Sequence, residues 1–428
     1  MFMKKFIAFS VAVMLAAFLP GCVTHNKDLV GDGPRKSPHK ATINQNMVLE
    51  IDGVKIFHVG FDVAPLPEAL APNGKNGIEE LHDAGANFLQ TGMGGAPWTE
   101  QSIEREQRWQ DVAAKYGMHC WVRLRELGSQ EPGHPEKEAM LKRVVSRFKD
   151  HPGMGVWNSV DEPEWGKHPV GPLVRGYQMI HELDLNHPVS INQAPRGAVE
   201  SLRAYNVTCD ITGADIYPVS YPPGTHSLLP NKEISMVGDY TKTMMEVAEG
   251  KKPVWMYLQI AWSGVVKPGK TLRFPTFPEE RFMTYQAIIN GARGIIYFGG
   301  NVSKAWNVED TTYGWNWHFW NEVLKRVVEE IGEKSPLYPA LAAGNSKLPV
   351  KVTGANNVEY CVRETGEDIY ILACKREGDT VKVEFSGMPP VGGEGEVMFE
   401  SSRKVLLKDG KFTDWFAPFE VHVYHFKR

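Results

Sequence analysis

The chain has little of what most often fixes a function by itself. It has 5 cysteines in 428 residues, and none sits in a Cys-x-x-Cys or Cys/His cluster, so no metal site is indicated. Its net charge is only −4 and it has no Lys/Arg-rich run, so it lacks the basic face that nucleic acid requires. After the N-terminal segment, no apolar run reaches the ~18 residues of a membrane-spanning helix. Nothing like a Gly-x-Gly-x-x-Gly turn follows the first predicted strand, which argues against a dinucleotide fold, and no cofactor is implied. Hydrophobic residues at 42% and charged residues at 23% are ordinary for a globular protein. Aromatic residues are plentiful, with 12 Trp and 14 Tyr. Their planes suit the apolar faces of sugar rings, and they also fill large cores.

Residues 1–22 read as a targeting segment. Lys4 and Lys5 give a positive start, and Phe6–Phe18 is an apolar stretch too short to cross a bilayer. The stretch ends in Leu19-Pro20-Gly21-Cys22, which resembles the lipobox of bacterial lipoproteins. The resemblance implies lipidation at Cys22 and an anchor in the bacterial cell envelope, on the periplasmic or surface side of the outer membrane. Residues 23–48 are polar and contain Gly and Pro, so they are expected to form a flexible tether. Of the other cysteines, Cys361 and Cys374 flank a predicted hairpin and read as free thiols, although an oxidising compartment would let them pair.

From residue 49 to 341 short β-rich runs alternate with amphipathic helical patterns. The runs are Ile56–Pro65, Ala86–Gly92, Met118–Leu127, Gly155–Pro163, Pro188–Pro195, Cys209–Pro218, Pro253–Trp262 and Arg293–Gly300. Eight strand–helix units over ~250 residues predict an α/β fold of the (β/α)₈ barrel type. Residues 342–428 change to period-two alternation broken by Gly-containing turns, predicting a small antiparallel β-sandwich.

In such a barrel, chemistry sits at the C-terminal ends of the strands. The polar and aromatic residues predicted there are Asp62 on strand one, Arg123, Arg125 and Glu126 on strand three, and Asn158, Asp161 and Glu162 on strand four. Strand five adds Asn192 and Gln193, strand six Asp215 and Tyr217, strand seven Gln259 and Trp262, and strand eight Tyr297 with Trp306, Trp315 and Trp317 beyond. Carboxylates, amides and aromatics converging on one face compose a sugar site, whereas a phosphate site would want Gly-rich loops and Lys.

The adjacent carboxylates of "VDEPEW" are the sharpest feature. One expectation is structural: Asp161 caps a helix that Pro163 and Glu164 begin. The other is acid–base work. Simple alternation places Asn158, Val160 and Glu162 on one face and Trp157, Ser159 and Asp161 on the other, so Asp161 joins Glu162 only if the strand bends. A Glu at this place resembles the general acid of barrel glycoside hydrolases, which carry Asn-Glu-Pro there. Their second carboxylate, the nucleophile, stands at the end of strand seven. Here that place holds Gln259, whose amide cannot attack as a carboxylate does. The Asp-Glu pair in turn resembles that of β-N-acetylhexosaminidases. That resemblance implies Asp161 as orienter of a 2-acetamido group, which supplies the nucleophile, and Glu162 as acid and base. Asp215 as base of an inverting pair stays open, as does a non-catalytic glycan-binding barrel. Carbohydrate is the expected partner under each reading.

The stretch Pro278–Gly300 looks like the helix-seven to strand-eight segment of several barrel hydrolase groups. Glu280 within it reads as a helix-start residue paired to Arg281.

Overall fold

The computed structural model describes residues 40–92, 97–260, 271–298, 312–390 and 393–428. Eight parallel strands form the central sheet: His58–Asp62, Phe88–Thr91, His119–Arg123, Met154–Asp161, Val189–Asn192, Thr212–Ile216, Val254–Gln259 and Gly294–Phe298. We refer to them as strands one to eight. Strand eight pairs with strand one, and strands five and six meet through the bridges Ser190–Ile211 and Gln193–Ala214. The sheet thus closes on itself as a (β/α)₈ barrel, as the eightfold alternation predicts.

Local chemistry explains the outer helices. Thr99 caps Glu100–Lys115 by accepting the Ser102 N–H, and Thr276 forms a capping box with Glu279 at the start of Phe277–Ile289. The helices bury their apolar faces against outward-facing strand residues such as Trp157, Leu258 and Ile295, making the largest core cluster. Inside the barrel, Phe88, Trp121, Val156, Ile211, Trp255, Tyr257 and Ile296 form a second cluster. Ala41, Leu49, Ile51 and Ile56 join it from a three-stranded antiparallel plug, Ala41–Ile43, Leu49–Ile51 and Val54–Ile56. The folded unit therefore starts before residue 49, inside the span expected to be tether. Alternating Ala41, Ile43, Leu49 and Ile51 gave that stretch something to bury.

The C-terminal unit is a sandwich of two antiparallel sheets. One contains Lys351–Thr353, Val381–Ser386 and Phe412–Phe416. The other contains Val358–Thr365, Asp368–Lys375, Val421–Lys427, Glu394–Val397 and Lys404–Leu406. It packs on the helices Met236–Ala248 and Phe277–Ile289, where Lys242, Gln286 and Asn290 all bond Glu359 and Arg376 pairs with Asp239. Cys361 and Cys374 lie on neighbouring strands as free thiols, opposite Leu372 and Glu359 respectively. Arg281 pairs with Glu330 and not with Glu280, whose buried carboxyl has no hydrogen-bond partner among the described residues.

Candidate active site

The carboxylate pair sits where strand four bends. Along this strand Val156 and Asn158 face the barrel interior, and Asn158 donates to Ser190 Oγ at 3.3 Å. Trp157 faces the helices and donates to Asp184 at 2.8 Å. Pairing with strand five then slips between Asn158 and Asp161. Val160 stays outside, packed with Leu173 and Ile191, so the extra residue of the bulge turns Asp161 inward. Asp161, not Val160, therefore follows Asn158 on the inner face, and the bend that lets Asp161 join Glu162 is present. Glu162 comes next with φ +44°, and its N–H bonds the Asn192 carbonyl at 2.8 Å. The following helix, Val170–Leu183, has its N-cap at Pro169, so Asp161 caps nothing.

Left-handed backbone recurs where strands one to four end, at Val63 (φ +65°), Gly92 (φ +71°), Arg125 (φ +55°) and Glu162. A β-branched valine and a glutamate in this region are strained, and such strain clusters at functional sites. At Gly92 only glycine fits, because a Cβ there would lie 2.5 Å from the Arg123 carbonyl.

Four carboxyl groups converge on the mouth. Asp161 bonds the Arg123 guanidinium and accepts from Asn192 Nδ2 at 3.0 Å, so both its oxygens are engaged. Glu162 and Asp215 lie close enough to act on each other's ionisation. Burial raises the Glu162 pKa, and the Asp161 charge adds to that. Burial and then the Glu162 and Asp161 charges push Asp215 well above the carboxylate range. Asp215 Oδ1 meets no hydrogen-bond partner among the described residues. His226 Nε2 lies 3.4 Å from the other Asp215 oxygen. Asp62, buried at the end of strand one, is pushed up to about 7 by burial, against the pull of Arg123. Tyr257, inward on strand seven, lies within the field of Asp62, Asp161 and Arg123.

The other predicted residues separate into those that reach this cluster and those that do not. Asn192 reaches it directly. Arg125 stands on the strand-three loop, 5.4 Å over the Trp98 ring, while Glu126 accepts the Trp98 backbone N–H. Gln193 is buried and accepts the Glu164 N–H, and Asn158 lies beneath the mouth. Gln259 is fully buried, with both amide atoms bonded to the Val219 backbone, so it braces the strand-six loop rather than facing a ligand. Tyr217 cannot offer a stacking face, because its ring lies between His226 (4.4 Å) and Phe298 (5.2 Å). Tyr297 faces outward and bonds Thr284 at 3.0 Å. Trp315 and Trp317 are buried, Trp315 against Phe61 and Trp320. Trp262, Trp306 and Cys22 lie outside the described residues. No group of three or more His, Cys, Asp or Glu with metal-binding geometry occurs among the described residues.

Sequence reasoning missed four residues here. Trp165 stands in the same motif as Glu162 and was legible there, and Tyr257 follows from alternation with the inward Trp255. Arg196 and His226 lie on loops and gave no pattern.

No protein-family model matches the chain, and no curated protein is similar to it in sequence. Solved structures are similar to it in shape. One, described as a glycoside hydrolase, has a TM-score of 0.62 at 14% identity, over 91% of this chain and 96% of its own. A family 5 glycoside hydrolase from Bacteroides vulgatus gives 0.60 at 14% identity, over 91% and 93%. A family 30 subfamily 8 xylanase from Clostridium acetobutylicum gives 0.53 at 12% identity, over 92% and 98%. At these identities the likeness is one of fold, and it covers 91–92% of this chain.

Proposed function

We propose that this chain is a glycoside hydrolase in which Glu162 is the general acid and base, acting on a sugar whose 2-acetamido group is oriented by Asp161. The observation that carries the reading is Asp161, turned inward at the end of strand four and held by Arg123 and Asn192, directly before Glu162 at the barrel mouth. Burial and a neighbouring negative charge favour the protonated form of a carboxyl, the form a general acid needs. The shapes and described activities of the structural neighbours point the same way.

The steps follow from the residues. Glu162 gives its proton to the glycosidic oxygen as the bond to the anomeric carbon breaks. The acetamido carbonyl oxygen attacks that carbon, while the acetamido N–H donates to Asp161. Arg123 and Asn192 already fix the Asp161 carboxylate, so little reorganisation is needed at that moment. Glu162, now ionised, takes a proton from water, and the water oxygen opens the cyclic intermediate.

The end of strand seven supports substrate assistance over a double displacement. A retaining pair needs a second carboxylate as nucleophile, and strand seven ends in a buried amide, Gln259. That amide is also the observation favouring a second reading, a glycan-binding barrel without catalysis. The proposal includes an envelope location, with lipidated Cys22 as the anchor.

The test is hydrolysis of aryl N-acetylhexosaminides and aryl glycosides by the wild type and Glu162→Gln. Substrate assistance predicts cleavage of the N-acetyl compound and none of its deacetylated analogue, with a loss of ~10²–10⁴-fold in the variant. Equal rates on the two compounds reject assistance. Binding of glycans without any cleavage rejects the enzyme. Palmitate incorporation lost in Cys22→Ala would support the anchor, and label retained in that variant would remove it.

A further inference from the structure

The residue next to the acid–base pair that the mechanism leaves unused is Trp165. It lies three positions after Glu162, in the turn closed by the Gly166 N–H on the Glu162 carbonyl at 2.8 Å. Trp165 is 52% exposed, while the other Arg-stacked tryptophan at the strand ends, Trp98, is only 3% exposed and belongs to the core. The Arg196 guanidinium, from the loop after strand five, lies 4.8 Å from the Trp165 ring centroid. Arg196 also lies close enough to Glu162 for its charge to act on that carboxyl. The arginine therefore joins the exposed indole to the catalytic pair.

Arg196 has no carboxylate within ion-pair distance among the described residues, whereas Arg123 is spent on Asp161. Its loop is fixed, since the Tyr240 hydroxyl donates to the Ala194 and Arg196 carbonyls at 2.9 and 3.2 Å. A guanidinium is a planar fork suited to bidentate contact with a carboxylate or sulfate. An exposed indole suits the apolar face of a pyranose. The local charge does not oppose an anion. Asp161 is paired with Arg123 and Glu164 with Lys167, and burial favours the neutral form of Glu162.

We propose that Trp165 and Arg196 form a subsite beside the scissile bond for a sugar unit carrying an anionic substituent, a carboxylate or a sulfate ester. This rests on the hydrolase reading of the same mouth, and it narrows the substrate to an acidic glycan.

The experiment uses Glu162→Gln protein, so that ligands stay intact, and measures binding of three tetrasaccharides that all carry 2-acetamido groups. Chitotetraose is uncharged, a hyaluronan fragment carries carboxylates, and a keratan sulfate fragment carries sulfates. At least one anionic fragment is expected to bind about ten-fold or more tighter than chitotetraose, and which one does identifies the substituent. Adding Arg196→Gln should abolish that preference and leave chitotetraose affinity within about two-fold. Adding Arg196→Lys should retain part of it, and adding Trp165→Ala should weaken all three. Equal affinities in the parent protein, or a loss in Arg196→Gln that is the same for charged and uncharged fragments, overturns the proposal. Cleavage by the wild type is measured separately, so a missing reaction with an intact anion preference would remove the hydrolase reading and leave the subsite.

Discussion

Asp62→Asn should make the protein more stable and less active, and the size of the gain should depend on pH. Asp62 is buried at the end of strand one with one oxygen that no donor among the described residues reaches, and its pKa is pushed from 3.8 up to about 7. In the folded chain the carboxyl holds its proton up to about pH 7, while in the unfolded chain it releases it near 3.8. A raised folded-state value means stability that is fully present below pH 3.8 and is lost as pH rises through about 7. At 1.36 kcal/mol per pKa unit the loss is roughly 4 kcal/mol above that range. An amide has nothing to ionise, so Asp62→Asn escapes the loss. Urea unfolding, followed by the fluorescence of the buried barrel tryptophans, should show the variant more stable by about 4 kcal/mol at pH 8 and unchanged near pH 3.5. Under the proposed function, turnover falls in the same variant, because the mouth loses a carboxyl facing the sugar. A variant no more stable than wild type at pH 8, or equally stabilised at both pH values, would refute this account of Asp62.

Three further outcomes follow. Burial alone would lower the His422 pKa, but Glu400, hydrogen-bonded at 2.6 Å, and Glu420, 3.6 Å away, outweigh it and raise the ring to about 9, and the Glu400 contact fits a charged ring although Arg403 also lies 3.0 Å away. Its contribution, about 3 kcal/mol, is complete below pH 6.5 and lost as pH rises through about 9, so denaturation of His422→Gln should show a flatter pH dependence than wild type between those values. Gln259→Glu should not create a nucleophile, because the side chain would lose its bond to the Val219 carbonyl and bury a charge; melting should show ~1–3 kcal/mol of destabilisation with no gain in rate. Gly92→Ala should cost ~1–3 kcal/mol from backbone strain alone and displace the Arg123 backbone, lowering activity beyond what thermal destabilisation explains when both are measured at the same temperature.

The barrel was legible because its signal is repetitive. Eight apolar runs with helical patterns between them specify the same unit eight times, and errors of a residue at each end do not alter the count. The sandwich was legible for a similar reason, since period-two alternation over Asn356–Gly387 and Phe419–Arg428 makes one apolar face per strand. The plug was missed because Ala41–Ile43 is a three-residue strand within a polar stretch, and only its burial against Trp121 and Trp255 marks it as folded.

The site divides along another line. Sequence by itself determined which residue types stand at the strand ends, and so that Asp62, Asp161, Glu162 and Asp215 could meet at all. It could not show the bulge between Asn158 and Asp161, because a slip in pairing depends on the neighbouring strand and not on the order of residues within one. That bulge turned Asp161 inward to Arg123 and set Glu162 against Asp215. Packing likewise withdrew Tyr217, Gln259, Tyr297 and Trp315 from the mouth, since a residue at a strand end faces either a ligand or a neighbouring loop, and the loop's position decides. Composition supplied the chemistry of the site, and tertiary contact chose which side chains are free to use it.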